Sequence, residues 1–591
     1  MILEKINNSK DLKRLNIEEC EILAWEIREY IITKVSKCGG HLGSNLGVVE
    51  LTIALHYVFD TPNDKIVYDV SHQSMTHKML TGRKEAFLDP EKYGMVSGYT
   101  NADESEYDLF NIGHTSTAIS LACGLAKARD ISGGMENVIA VIGDGSLSGG
   151  EAFEGLDYAG SDIAGNMIIV VNDNQNSIAE NHGGLYQNLK LLRDTDGKAK
   201  HNFFKALGYE YRFVKNGNNV GELIEAFSEL KGVGHPVVVH VCTIKGKGYW
   251  YAEENAEKTH FVKPFYIDTG KEKNPFFGER YDRILRDFLV EKMKADRKVA
   301  VIMPAVANIL AFSPKLREEL GNQFIDVAIA EEHGIAMAAG MAKAGMKPVF
   351  ATKASFFQRT YDQISQEICI NNMPVTMIVI NASVYATTDM THIGIFDIAM
   401  MSNIPNLVYL APTNKQEYLA MVDWSIEQNI YPVAIRAPRN GVFDTAEVVD
   451  RDYEKLNKYK VVHKGERTAI IAMGDFFQLG EELAEKIERS YEYKPTLINP
   501  RYITGIDEEL LSSLIYNHKI VVTLEDGILD GGFGEKIARF YGTSNIKVMN
   551  YGLKKEFLDR YNIGQIMKEN HLDADIILND IAMMESDREC Q

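Results

Sequence analysis

Residues Ala140 to Gly155 read AVIGDGSLSGGEAFEG, an apolar run that ends in Gly143-Asp144-Gly145 and passes into a small-residue segment. A glycine-rich turn between a strand and a helix ordinarily cradles a phosphate on backbone N–H groups, and a carboxylate placed there would repel it. A hard divalent cation such as Mg²⁺ removes the conflict, because it takes oxygen ligands from carboxylate and phosphate together. The stretch therefore predicts a metal ion and a diphosphate. Residues 146–171 then provide the length of one crossover helix, and the next apolar run, NMIIVV, delivers Asn172-Asp173-Asn174. Two neighbouring parallel strands end at the same sheet edge, so Asp144 and Asn174 can converge on one ion.

The elements that must position these groups are visible along the whole chain. The runs ENVIAVIGDG, NMIIVVNDN, HPVVVHVCT, KVAVIMPA, MPVTMIVIN, NLVYLAPT, RTAIIAMGD and KIVVTLEDG alternate with helix-length segments. Continuous apolar strands of this type imply parallel sheets buried on both faces, an α/β architecture. The pattern restarts twice, across the polar stretches Ile267 to Arg283 and Phe443 to Gly465. Three domains are expected, at residues 1–270, 276–441 and 460–591, each on a mainly parallel sheet. No short-period repeat or low-complexity segment interrupts them.

Composition excludes other classes. A length of 591 residues exceeds one hydrophobic core. The net charge of -20 argues against a nucleic-acid-binding surface, so an anionic ligand must be held by a local site. Cys20, Cys38, Cys123, Cys242, Cys369 and Cys590 are scattered without a C-x-x-C pair and read as buried small hydrophobes in a reducing compartment. The first residues carry no apolar signal region, and no run approaches the ~18 apolar residues of a membrane helix. The chain reads as soluble and cytoplasmic, with no membrane or nucleic-acid partner.

The GDG…NDN pair is similar to the diphosphate-binding motif of thiamine-diphosphate enzymes. Further segments resemble one branch of them, the 1-deoxy-D-xylulose-5-phosphate synthase family. These are CGGHLGSNLGVVELTIALHYVF, YDVSHQSMTHKMLTGR, IGHTSTAIS, NDNQNSIAEN, TIKGKGYWYAEE, DVAIAEEHGIAMAAGMA, SFFQRTYDQI, MTHIGIFDI and APRNG, in the family's order, with a weaker match at LEDGILDGGFG. The resemblance implies a transketolase-like fold with diphosphate-binding, pyrimidine-binding and C-terminal domains, a homodimer, and thiamine diphosphate with Mg²⁺ as cofactors. It implies decarboxylation of pyruvate and ligation of the two-carbon unit to glyceraldehyde 3-phosphate, a step of isoprenoid and thiamine biosynthesis.

Residue by residue, the resemblance assigns Asp144, Asn174 and the Asn176 carbonyl to the metal. It assigns His72, Gly113, His114, Thr115, Gly145, Ser146, Asn174, Tyr249, Glu331 and Phe356 to the cofactor. Glu331 would be the acid on the aminopyrimidine ring and Phe356 its aromatic wall. His41, His260 and His392 are expected beside the substrate with Glu331 as catalytic groups, since imidazoles donate to developing oxyanions and carry protons near neutral pH. Arg359, Arg439, Lys353, His77 and Asp389 are the expected substrate-binding residues. Isolated, each histidine would read as structural, and Phe356 and Phe357 as core.

The chain departs from the family in three places. The family's aspartate-arginine pair after the strand VTMIVI is replaced by INASVYATTDMTHIG, a tyrosine three residues before Phe356 by Lys353, and the segment from Asn181 to Gly208 is short. A lysine restores positive charge without the two-pronged geometry of arginine. The alternatives left open are a transketolase or other carboligase with a different aldehyde acceptor, a 2-oxoacid dehydrogenase component, and a non-catalytic relative.

Overall fold

The computed structural model describes every residue except Glu447, Cys590 and Gln591, and of residues 586–589 the backbone alone. The expected location of Cys590, and the end of the third expected domain, lie outside the described residues. Two compact units form, residues 1–277 with 328–330, and residues 278–327 with 331–591.

The first unit is built on five strands: β1 (Lys65–Tyr68), β2 (Val138–Gly143), β3 (Met167–Asp173), β4 (Glu210–Val214) and β5 (Pro236–Cys242). They run parallel in the order β1-β2-β3-β5-β4. The continuous apolar runs are explained by which face each residue takes. Ala140, Ile142, Ile169 and Val171 pack with helices Ala118–Ser132 and Gly150–Asp162, whereas Ile139, Val141, Ile168 and Val170 pack beneath helices Val49–Val58 and Val220–Leu230. A strand covered on both sides has no face for polar residues.

The second unit carries two sheets. Strands β6 (Val299–Met303), β7 (Phe324–Asp326), β8 (Lys347–Lys353), β9 (Thr376–Ile380), β10 (Val408–Leu410) and β11 (Val433–Arg436) are all parallel, in the order β10-β11-β9-β8-β6-β7. Strands β12 (Lys460–His463), β13 (Arg467–Ala472), β14 (Thr496–Asn499), β15 (His518–Ile528) and β16 (Lys547–Leu553) form the other sheet, parallel except for β12 at its edge. One apolar core runs through both, from Ile302, Phe350 and Val379 to Ile471, Ile498 and Val521.

Among the described residues no helix is long and apolar enough to cross a membrane. Cys20, Cys123 and Cys369 are buried as expected, but Cys242 is half-buried and Cys38 exposed, at the end of helix Ile17–Cys38 where no core covers it.

Candidate functional site

In the first unit the two motif halves meet. Register pairs Gly143 with Asn172, and the Asp144 N–H donates to the Asn172 carbonyl at 3.0 Å. Asp144 is 1% exposed; burial and the neighbouring Asp173 carboxylate push its carboxyl well above the ordinary range. A buried carboxyl pair of this kind is relieved by a cation. Asn174 is half-buried, its Oδ1 accepting the Asn176 N–H at 3.2 Å, and Asn181 Nδ2 donates to Asp144 Oδ2 at 2.9 Å. A Cβ on Gly145 would lie 2.9 Å from Ser177 Cα, so this turn admits only glycine. A buried carboxylate, a carboxamide oxygen and a side-chain-free turn at one sheet edge fit a divalent ion bound to a diphosphate.

The second phosphate-side segment, Gly113-His114-Thr115, is tied to the first. Asp69, buried at the end of β1, accepts the Ser116 and Ala118 N–H groups at 3.0 Å each and so caps helix Ala118–Ser132. Ser116 Oγ donates to the Ser146 carbonyl at 2.8 Å, which sets Gly113 to Thr115 beside Gly145 and Ser146. Val70, Ser71 and Ser116 all hold positive φ, a conformation costly for non-glycine residues and concentrated where a ligand-binding turn must keep its shape.

Three expected histidines converge. The ring centroids of His41 and His72 are 4.9 Å apart, those of His41 and His260 5.3 Å, and those of His72 and His260 5.3 Å. Two devices bring them together. Backbone pairing of Gly40 with Val262 delivers His260 to His41. Buried Asn45 then donates to the carbonyls of both His41 and His72, at 2.8 and 2.7 Å.

Two expected residues take other places. His77 is 1% exposed and both its ring nitrogens are engaged, by His56 at 2.9 Å and Asp108 at 2.8 Å; burial lowers its pKa. The substrate-side role expected of it is corrected to a supporting one, because no ring nitrogen remains for a ligand. Tyr249 is buried in the apolar core and donates its hydroxyl to the Ile267 carbonyl at 2.7 Å, so it can offer a ring but not that proton.

Sequence reasoning missed Lys245 and the group around Asp173. Lys245 is buried and held at about 8 by burial, opposed by Asp144 and Glu257; its Nζ donates to the Ser177 carbonyl. The TIKGKGYW segment contained it, but nothing local marks which lysine turns inward. Asp173, His240 and Cys242 bring ligand-type atoms within 4.8 Å of one another. They do not form a metal centre, since Tyr211 and Asp173 occupy both His240 nitrogens and Arg193 brings a positive charge.

In the second unit, Glu331 opens helix Glu331–Lys343 and is 3% exposed. Burial pushes its carboxyl up to about 7 against the pull of Arg359, whose NH1 stands 3.9 Å from Oε2. Among the described residues no group donates a hydrogen bond to that Oε2. A bare, buried carboxyl oxygen that titrates near neutrality fits a proton-carrying contact to a cofactor ring.

The adjacent phenylalanines divide. Phe357 enters the core, whereas Phe356 stays half-buried with its ring 5.5 Å from that of His392 and Lys353 Nζ 5.1 Å from its centroid. Asp389 Oδ1 lies 3.1 Å from His392 Nδ1 and accepts from Thr391 Oγ1 at 2.7 Å. Burial lowers the Lys353 pKa while Asp389 opposes the shift. Lys353, Phe356, Asp389 and His392 thus form one cluster.

Arg439 stands two residues past Ala437, whose N–H pairs with Val379 of β9. Its own N–H is held by Asp475 at 2.9 Å, and it lines a small pocket with Asn381. Arg280, which sequence reasoning did not single out, is the like charge beside it.

Residues 280–443 match the model of the transketolase pyrimidine-binding domain and residues 457–577 that of the transketolase C-terminal domain. With the parallel sheets, this defines an α/β enzyme of the transketolase type. Residues 3–201 match the model described as 1-deoxy-D-xylulose-5-phosphate synthase. The chain is 37% identical over 626 residues to the 1-deoxy-D-xylulose-5-phosphate synthase of Caldanaerobacter subterraneus subsp. tengcongensis, covering 98% of both chains. It is 38% identical over 615 residues to that of Clostridium perfringens, strain SM101, again covering 98% of both. The chain belongs to the 1-deoxy-D-xylulose-5-phosphate synthase family.

Proposed function

We propose that the protein decarboxylates pyruvate and ligates the two-carbon unit to glyceraldehyde 3-phosphate, using thiamine diphosphate and Mg²⁺. The observation that carries the reading is the meeting of the Asp144 and Asn174 turns at one sheet edge, tied through the Asp144 N–H and the Asn172 carbonyl. Asp144, Asn174 and the Asn176 carbonyl would hold the ion. Gly113 to Thr115, Gly145 and Ser146 would offer backbone and hydroxyl donors to the diphosphate, with Lys245 as a buried counter-charge. When bound, thiamine diphosphate supplies a carbon nucleophile that can take over the two-carbon fragment of a 2-oxo acid.

The chain's own residues then have distinct tasks. Glu331 holds or releases a proton at Oε2 near pH 7. Phe356 presents an aromatic face for the pyrimidine, and the ring of Tyr249 forms a wall. His41 and His260 present imidazole N–H groups to substrate oxygens, with His72 beside them at the cofactor, and His392, oriented by Asp389, does so beside Phe356. Lys353, Arg359 and Arg439 would supply positive charge to pyruvate and to the acceptor. We retain the division at 1–270, 276–441 and 460–591, in keeping with the three sheets, and on the family likeness we propose a homodimer in the cytoplasm.

One observation favours a different acceptor. Asn381 and Ala382 follow β9 where the family carries its aspartate-arginine pair, and Asn381 lines the Arg439 pocket. Thiamine diphosphate titration followed by circular dichroism tests the cofactor reading; it should saturate and depend on Mg²⁺. Absence of binding would favour the non-catalytic alternative.

A further inference from the structure

Beside Asp144, Asp173 ends β3 at 1% exposure. Its Oδ2 accepts from His240 Nε2 at 2.7 Å and from Arg193 NH1. His240 is itself fully enclosed on β5, and its Nδ1 lies 2.8 Å from the Tyr211 hydroxyl on β4. A Tyr O–H donates to Nδ1, which leaves the proton on Nε2 to point at Asp173. The second oxygen, Oδ1, accepts the Gln175 N–H at 3.2 Å, across Asn174. Arg193 sits in the last turn of helix Gly184–Asp194, the helix that follows the loop running on from Asn174.

Three groups, from β5, the helix Gly184–Asp194 and the loop after Asn174, therefore bond one buried carboxylate, and Tyr211 on β4 orients the histidine. Stability alone does not call for this, because a buried ion network gains little over well-packed apolar side chains of similar volume. What distinguishes Asp173 is its position. It lies between Asn172, whose carbonyl accepts the Asp144 N–H at 3.0 Å, and Asn174, and its Oδ1 ties down the Gln175 N–H that follows. Residues that orient metal ligands from outside, and add field to them, typically change metal affinity 10- to 100-fold when removed.

We propose that Asp173 is a positioning residue for the divalent ion. Held by His240 and Arg193, it is an outer carboxylate that fixes the turn carrying Asn174 through the Gln175 N–H. The inference rests on Asp144 and Asn174 as the ion's ligands. It extends the site to a Tyr211–His240–Asp173–Arg193 array of which the ligand motif contains Asp173 alone.

The test uses Mn²⁺ as the probe, titrated into full-length protein with thiamine diphosphate and followed by the electron paramagnetic resonance signal of free Mn²⁺. Thermal unfolding of the metal-free protein is measured alongside. Asp173→Asn, nearly isosteric, should weaken Mn²⁺ binding about 10- to 100-fold, and the metal-free protein should unfold at a lower temperature because Arg193 loses its carboxylate partner. Arg193→Met should weaken binding in the same direction, and Arg193→Lys should recover part of the loss. Asp173→Asn with wild-type Mn²⁺ affinity and a lowered unfolding temperature would reduce Asp173 to a structural residue and overturn the inference. Asp144→Ala separates the two levels. If it too leaves Mn²⁺ affinity unchanged, the ligand assignment fails and the inference with it; if it abolishes binding while Asp173→Asn does not, the inference alone fails.

Discussion

The Asp144 N–H donates to the carbonyl of Asn172 at 3.0 Å, so the last ladder bond between β2 and β3 is also the bond that joins the two halves of the metal motif. The register of the sheet, and not a flexible loop, thereby sets where the Asp144 carboxylate begins. Removing that carboxylate should leave the sheet intact. Asp144→Ala is expected to weaken thiamine diphosphate binding in a Mg²⁺-dependent way, measured by calorimetric titration with and without chelator. Equal affinity in both conditions, matching wild type, would remove Asp144 from the site.

The turn that follows is sterically closed. A Cβ at position 145 would lie 2.5 Å from Ser177 Cβ and 2.9 Å from Ser177 Cα. Gly145→Ala must therefore push the loop after Asn174 away from Asp144. The expected result is a loss of cofactor affinity of tenfold or more with the far-ultraviolet circular dichroism unchanged. Wild-type affinity in this variant would show that the loop does not need to close on Gly145.

Glu331 gives two linked expectations. Glu331→Gln keeps shape and removes the titrating proton, so cofactor should still bind while hydrogen exchange at the thiazolium C–H, followed by NMR, slows by orders of magnitude. Stability should move too. The folded-state carboxyl is pushed up to about 7 by burial from an ordinary value of 4.5, so the folded protein holds its proton more tightly than the unfolded chain. Stability is then lost as pH rises from the unfolded value through the folded one, by about 3 kcal/mol at most. In cofactor-free thermal unfolding, Glu331→Gln should match wild type near pH 4 and exceed it at pH 8. A variant less stable than wild type at pH 8 would contradict this.

Much of this was legible in the chain because parallel α/β folds gather their sites at strand ends, and strand ends are marked by apolar runs stopping at glycine or polar residues. Asp144, Asn174 and Glu331 each follow such a run. The division between Phe356 and Phe357 was not legible from composition, since only the direction of the turn after β8 decides which ring enters the core. Asn45, Lys245 and the Asp173–His240 pair were invisible for a related reason. His240 meets Asp173 across adjacent strands β3 and β5, which are separated in sequence by the loop, helix Gly184–Asp194 and β4. His77 misled because its motif is rich in functional neighbours, while its ring turns inward to Asp108 and His56.

The acceptor question turns on Lys353. Its Nζ lies over Phe356, with Asp389 the opposing charge. A charge-assisted contact of about 1.5 to 3 kcal/mol corresponds to roughly ten- to a hundredfold in binding. If Lys353 reads the acceptor phosphate, Lys353→Met should raise KM for glyceraldehyde 3-phosphate by that factor and leave KM for unphosphorylated glyceraldehyde within about twofold. Equal effects on both aldehydes would assign the charge to pyruvate or to the cofactor.

The most direct measurement is product analysis by NMR after incubating the Mg²⁺- and thiamine diphosphate-loaded enzyme with ¹³C-labelled pyruvate and a panel of phosphorylated and free aldehydes. The expected outcome is carbon dioxide from the pyruvate carboxylate and label from its other two carbons in 1-deoxy-D-xylulose 5-phosphate, with glyceraldehyde 3-phosphate preferred over glyceraldehyde. Turnover of pyruvate with no gain from a phosphate on the aldehyde, or ketol transfer from a sugar phosphate with no carbon dioxide released, would contradict it.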